Sequence, residues 1–194
     1  MKEILKQFIT QWEKFEESEI DAIVENTQIE SFKKGTVVLE QGKVSSTCYF
    51  VLQGCLRQYK IIDGEEKTTQ FFLEGQSAVL YSSYLNQLPS EFYLSCIEDC
   101  TLITGTREQE LELHQKYPNL KYMTHVFMEQ DYTKAEDYIR LLNSYKPEER
   151  YLRLMKTRPE LLNRVPLQQL ASFIGVTPES FSRIRKRILT NDQV

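Results

Sequence analysis

Histidine is nearly missing from this sequence: its 194 residues include two, His114 and His125. A metal centre on a small β-barrel needs histidines clustered on strands. Both histidines fall in segments whose spacing predicts helix, so a cupin-like barrel enzyme would lack its ligands. The four cysteines (Cys48, Cys55, Cys96, Cys100) contain no Cys-x-x-Cys pair, which argues against zinc or an iron–sulfur cluster. Cys96 and Cys100 are spaced to share a strand face, and all four read as small, reduced hydrophobes. Gly-x-Ser-x-Gly, a phosphate-binding loop and a Cys–His arrangement are absent too. No catalytic residue, metal or cofactor is therefore expected. The start, Met-Lys-Glu-Ile-Leu-Lys-Gln-Phe, has too short an apolar run for a signal peptide, and no stretch nears 18 apolar residues. A cytoplasmic protein without a membrane partner is the expectation.

Basic charge is scarce in the body of the chain and concentrated near its end. The formal net charge is −4, yet residues 140–189 alone carry +7. An acidic body joined to a basic module suits a sensor attached to a nucleic-acid reader.

Glycine is also unevenly spread. Five of seven (Gly35, Gly42, Gly54, Gly64, Gly75) fall in one segment, between short β-rich runs at 36–40, 47–52, 56–62 and 67–72. Asp63-Gly64 is a hairpin signal. Regularly spaced strands with glycine turns predict an antiparallel barrel or jelly roll, with further strands at 77–80 and 92–103. Before it, Ile4, Leu5, Phe8, Ile9, Trp12 and Phe15 lie on one helical face. Ser18 to Asp21 is a plausible capping box for a second short helix. After Thr104 the pattern is helical again. Pro118 opens a stretch to about Tyr145 without glycine or internal proline, long enough for a helix of about 40 Å. Leu120, Thr124, Phe127, Tyr138 and Leu141 can be laid on a heptad seam, interrupted at Asp131 and Lys134, which reads as a dimer spine. The class is α+β. Its divisions are a sensing barrel with flanking helices (1–117), a dimerisation helix (118–145) and a DNA-binding domain (146–194).

The most specific stretch runs from Val165 to Ile188. Leu167, Leu170, Ala171 and Ile174 form one apolar helix face, Gly175 supplies the turn, and Thr177-Pro178 caps and opens a second helix. That helix buries Phe181, Ile184 and Ile188. It turns Glu179, Ser180, Ser182, Arg183, Lys186 and Arg187 outward, the pattern of a helix-turn-helix whose second helix enters the DNA major groove. A solvated helical hairpin that binds an acidic protein, in a dimeric interaction module without DNA binding, is the bland alternative.

Taken in order, these elements resemble the Crp–Fnr family of bacterial transcription regulators over nearly the whole chain. The barrel segments Phe32-Lys-Lys-Gly-Thr-Val-Val-Leu-Glu-Gln-Gly and Tyr49-Phe-Val-Leu-Gln-Gly-Cys-Leu-Arg carry the resemblance along with the helix-turn-helix. It implies a cyclic-nucleotide-binding-like barrel, a homodimer, an inverted-repeat operator in double-stranded DNA, and RNA polymerase as a further partner. It also implies that Glu179 and Arg183 contact bases. The chemistry agrees, since a carboxylate accepts from cytosine N4 and an arginine reads guanine O6 and N7. Many relatives have arginine where this chain has Pro178. Thr177, Ser180, Ser182, Arg185, Lys186 and Arg187 are cast as phosphate contacts or framework, and Gln168 on the first helix joins the DNA-facing set. The usual β-hairpin wing has almost no room at Asn163-Arg164-Val165-Pro166.

The effector region departs from the resemblance. Nucleotide-binding relatives carry a Gly-Glu-x-Ala-Leu stretch and then an Arg-x-Ala, whose glutamate takes the ribose and whose arginine takes the cyclic phosphate. The corresponding stretch here begins Gly75-Gln-Ser-Ala-Val, and no arginine or lysine occurs from Thr68 to Thr106. A buried phosphate without a cation costs desolvation with little return, so cyclic AMP is not expected. Tyr81, Ser82, Ser83, Ser90 and Glu91 are candidates to line a pocket for an unknown uncharged or cationic effector. A filled barrel without ligand is the alternative.

Overall fold

The computed structural model describes residues 1–191. Two amphipathic helices, α1 (Lys2–Thr10) and α2 (Glu17–Asn26), precede seven strands: β1 (Gln28–Phe32), β2 (Val37–Leu39), β3 (Cys48–Gln53), β4 (Leu56–Ile62), β5 (Glu65–Phe72), β6 (Tyr93–Cys96) and β7 (Cys100–Gly105). A short helix, α3 (Tyr81–Asn86), interrupts them. The strands form two sheets, ordered β1-β7-β3 and β2-β6-β4-β5. Helices α4 (Arg107–Lys116), α5 (Pro118–Ser144), α6 (Pro147–Thr157), α7 (Pro159–Arg164), α8 (Leu167–Phe173) and α9 (Pro178–Asn191) follow.

The chain packs as two compact units, residues 1–58 with 71–132 and residues 59–70 with 133–194. The division falls inside α5. In the first unit, Val51, Leu56, Phe72, Leu94, Cys96, Cys100 and Leu102 fill the barrel. A second core joins Leu5, Ile9, Ile20, Ile23 and Val24 of the leading helices to Phe50, Leu52 and Ile103. Successive strand residues point to opposite faces, so Tyr49 and Val51 serve the first core while Phe50 and Leu52 serve the second. A strand covered on both faces reads as a continuous apolar run, as Tyr49-Phe-Val-Leu does. Gly54 is required by both backbone and space. Its φ is +103°, and a Cβ there would lie 2.7 Å from Asp99 O and from Cys100 Sγ.

Three local expectations are corrected. Residues 77–80 form no strand; Ser77 makes an isolated bridge to Phe50, and Ala78 N donates to Tyr49 O at 2.8 Å. The run 92–103 is two strands rather than one, turned at residues 97–99, where Ile97 N donates to Cys55 O at 3.0 Å. Cys96 and Cys100 therefore end on separate strands instead of one face. Helix α2 starts at Glu17 and has no side-chain cap, so Ser18 does not cap it.

In the second unit, α6 to α9 close around Leu154, Leu161, Leu170, Ile174 and Phe181, all buried. Tyr151 meets Phe181 edge to face at a centroid distance of 5.2 Å. The hairpin tip 59–70 belongs to this unit. Ser172 Oγ donates to Glu66 O at 3.1 Å and accepts from Thr68 N at 2.9 Å.

Candidate functional site

Helix α8 ends in a paired-bond turn. Val176 N donates to Ala171 O at 3.0 Å and Gly175 N to Ser172 O at 3.1 Å, with Gly175 at φ +73°. This is the Schellman arrangement, which needs the left-handed conformation that glycine adopts freely. Two residues later Thr177 Oγ1 accepts from Ser180 N at 3.2 Å and donates to Ser180 Oγ at 3.2 Å. Pro178 opens α9, where its missing N–H leaves no bond unmade. Sequence thus fixes the turn at both ends, and Phe181, Ile184 and Ile188 anchor the buried face.

The outward face of α9 presents Glu179, Ser182, Arg183 and Lys186, all exposed. Glu179 and Arg183 stand four residues apart, side by side on the helix. Among the described residues neither is held by an ion pair, so both heads are available. Arg187 is differently placed: its guanidinium is held by the Glu148 carboxylate, with Nε 3.1 Å from Oε1. That bidentate pair ties α9 to α6 and makes Arg187 framework. Arg185 is half-buried, and Gln168 is exposed on α8. The hydroxyls of Thr177 and Ser180 serve the cap. Residues Val165 and Pro166 alone join α7 to α8.

Arg150 carried no sequence signal, yet it organises this unit. Its Nε donates to Tyr145 O at 2.8 Å, Nη2 to Leu142 O at 2.8 Å and Nη1 to Ile174 O at 2.9 Å. One guanidinium therefore satisfies the carbonyls left open at the end of α5 and at the turn after α8. Tyr138 adds a second tie, stacked on Phe173 at 4.6 Å with its hydroxyl donating to Phe173 O at 3.0 Å. Burial pushes the Tyr138 phenol up to about 12.

The seam residues expected on α5 make contacts within the chain, Phe127 buried and Leu120, Thr124, Tyr138 and Leu141 half-buried. Phe127 is buried among Phe8, Trp12 and Phe50, with centroids 5.7, 5.3 and 5.2 Å away. Leu120 packs against the leading-helix core. Thr124 Oγ1 lies 3.1 Å from His114 Nε2. Tyr138 is engaged as described, and Leu141 is half-buried. The exposed apolar side chains of α5 include Met128, Tyr132 and Ile139, at 44%, 66% and 60% exposure. With Ala135 and Leu142 they make a heptad pattern one residue later, about 100° around the helix.

The five candidate effector residues do not converge. Ser83 Oγ donates to Leu88 O at 2.6 Å and accepts from Ser45 N at 2.8 Å. Ser90 Oγ donates to Phe92 O and accepts from Phe92 N, at 2.8 and 3.0 Å. Ser82 and Glu91 are exposed. Tyr81 lines a cleft elsewhere in the unit. Burial, with Asp131 and Glu110 nearby, pushes its phenol up to about 12.

Gln76, aligned by the resemblance with the relatives' ribose-contacting glutamate, turns its Oε1 onto Leu73 N at 2.8 Å, and Ser77 N donates to the Asp131 carboxylate at 3.2 Å. Arg57 is buried on β4, but it follows Leu56, whose side chain fills the barrel, and so it points to the opposite face. Among the described residues no group of three or more His, Cys, Asp or Glu is set to hold a metal, and no helix is long and apolar enough to cross a membrane.

Residues 29–117 match the family model of the cyclic nucleotide-binding domain. No curated protein matches the sequence. Solved structures similar to the chain include FixK2 from Bradyrhizobium japonicum, with a TM-score of 0.67 at 19% identity over 86% of each chain. The c-di-GMP-responsive global regulator CLP of Xanthomonas campestris gives a TM-score of 0.71 at 19% identity, covering 91% of this chain and 93% of that one. A CRP/FNR-family transcriptional regulator from Thermus thermophilus gives 0.65 at 17% identity, covering 84% and 87%. The chain has the fold of these proteins, a cyclic-nucleotide-binding-like barrel followed by C-terminal helices.

Proposed function

We propose that this chain, built on the Crp–Fnr fold, is a sequence-specific DNA-binding transcription regulator rather than an enzyme. It acts as a homodimer and does not answer to cyclic AMP. The observation that carries this reading is the free, exposed Glu179–Arg183 pair at the start of a capped helix in a helix-turn-helix. A carboxylate and a guanidinium so spaced match cytosine N4 and guanine O6/N7. Lys186 and Ser182 flank them as phosphate contacts, with Gln168 on the preceding helix. The effector claim rests on Gln76 turned onto Leu73 N and on the lack of any arginine or lysine from Thr68 to Thr106. The homodimer would join along the Met128–Tyr132–Ala135–Ile139 stripe of α5. Two half-sites would then lie one helical turn apart, about 34 Å.

Selection from random-sequence duplexes, with and without cyclic AMP, tests this. An inverted-repeat site recovered equally in both is the expected result. Arg183→Ala should then weaken that site by about 1–3 kcal/mol and relax preference at one base step per half-site. Equal weakening on every sequence would remove Arg183 from base reading, and enrichment only with the nucleotide would overturn the effector claim.

A further inference from the structure

Side chains of the first core pack inside the barrel, and the same unit holds free volume on the other side of the β1-β7-β3 sheet. A cleft of about 440 Å³ opens there between β3, α1, α3, α4 and α5, within the range of small-molecule sites. Much of its surface is apolar, from Phe8, Phe50, Ile103, Met123 and Phe127. Exposed Tyr81, Leu85, Leu111 and Met128 stand at its mouth.

One wall is polar. Tyr84 is 3% exposed, and its hydroxyl lies 3.5 Å from Glu110 Oε2. His114 Nε2 lies 3.1 Å from Thr124 Oγ1, and Cys48 Sγ donates to Gly105 O at 3.2 Å. Glu110 lines the cleft together with Arg107 and Lys121. An ionic head of either charge would therefore meet a like charge as well as a partner, after losing its own hydration. A neutral hydroxyl or N–H pays neither penalty and finds acceptors in the Glu110 carboxylate and the Thr124 hydroxyl.

We propose that this cleft binds an uncharged, largely apolar small molecule of the fatty-alcohol or aromatic-amine class, its donor head set against the Tyr84–Glu110–His114–Thr124 wall. The cleft takes Ser77, Val79, Tyr81, Tyr84 and Leu85 from the stretch that begins at Gly75, but lies on the helix-covered side of the sheet, with Phe50 and Ile103. It stands independently of DNA reading, because binding is measured without DNA.

The test titrates the full chain with N-phenylnaphthylamine, a neutral probe that brightens in apolar surroundings, and displaces it with decanol, decanoate or decylammonium. Saturation at one probe per chain is expected, with displacement by decanol at least about tenfold stronger than by either ion. Thr124→Trp fills the cleft and should abolish probe binding. Glu110→Gln keeps the volume but removes the charge, so decanoate should then compete within a few-fold of decanol. Unsaturable binding, full retention by Thr124→Trp, or equal displacement by decanoate and decanol in the parent would overturn the proposal. Probe release that tracks a rise in mass with protein concentration would overturn it too, by showing a second copy in the cleft.

Discussion

Arg150→Met is the sharpest perturbation of the second unit, because it keeps most of the side-chain length while removing three donors from three carbonyls. Charge-assisted hydrogen bonds of this kind each contribute about 1.5–3 kcal/mol. Arg150 is half-buried, so water can reach part of the vacated space and the sum will fall short of three full bonds. A loss of about 2–4 kcal/mol follows. At this chain length that lowers Tm by roughly 5–15 °C. Arg150→Lys should recover only part of it, since an ammonium lacks the planar fork that spans Leu142, Tyr145 and Ile174. Gly175 offers an internal control. A Cβ there would sit 3.0 Å from Arg150 Nη1, at φ +73°. Gly175→Ala therefore costs about 1–2 kcal/mol for the left-handed backbone, plus a contact term that disappears once Arg150 is methionine. The double-mutant cycle should show coupling of about 0.5–1 kcal/mol. Urea unfolding followed by circular dichroism measures all four proteins. An Arg150→Met variant within about 0.5 kcal/mol of the parent would refute the claim that this guanidinium joins the end of α5 to the turn after α8.

Three further outcomes are expected. Phe127→Glu buries a carboxylate among three aromatic rings and should destabilise the chain by about 3–5 kcal/mol; Tyr132→Glu should leave folding intact and yield monomers in light scattering, and an unchanged dimer mass would exclude the exposed stripe. Lys186→Ala should weaken binding to all duplexes alike and reduce the salt slope by about one; a changed base preference would contradict its phosphate role. Hydrogen bonds from Lys33 Nζ and Lys34 N to Asp99, at 2.8 and 2.9 Å, hold that carboxyl below its usual 3.8. Its stabilisation is present above 3.8 and is lost as pH falls through the lower folded value. Thermal melts should therefore show the parent losing its advantage over Asp99→Asn on acidification, whereas parallel curves would count against the pairing.

The α8–turn–α9 hairpin was legible in sequence because its determinants are local. The left-handed turn at Gly175, the Thr177 cap and the three- and four-residue spacing of Leu170, Ile174, Phe181 and Ile184 each act within a few residues. The glycine-punctuated strands and the length of α5 were legible for the same reason. What depends on distant partners was not. A heptad is nearly as well satisfied one residue later, and only the aromatic nest of Phe8, Trp12 and Phe50 decides that Phe127 turns inward and Tyr132 outward. Serines at 83 and 90 read as pocket residues until neighbouring backbone groups claim their hydroxyls. Arg150 sits on a helix beside two glutamates with nothing in its spacing to mark it, because its three carbonyl partners come from α5 and from the turn after α8. Sequence determined which elements form and where they stop, since backbone conformation and caps are short-range. Tertiary structure decided which faces are covered and which polar groups remain free, since burial belongs to the pair of surfaces that meet.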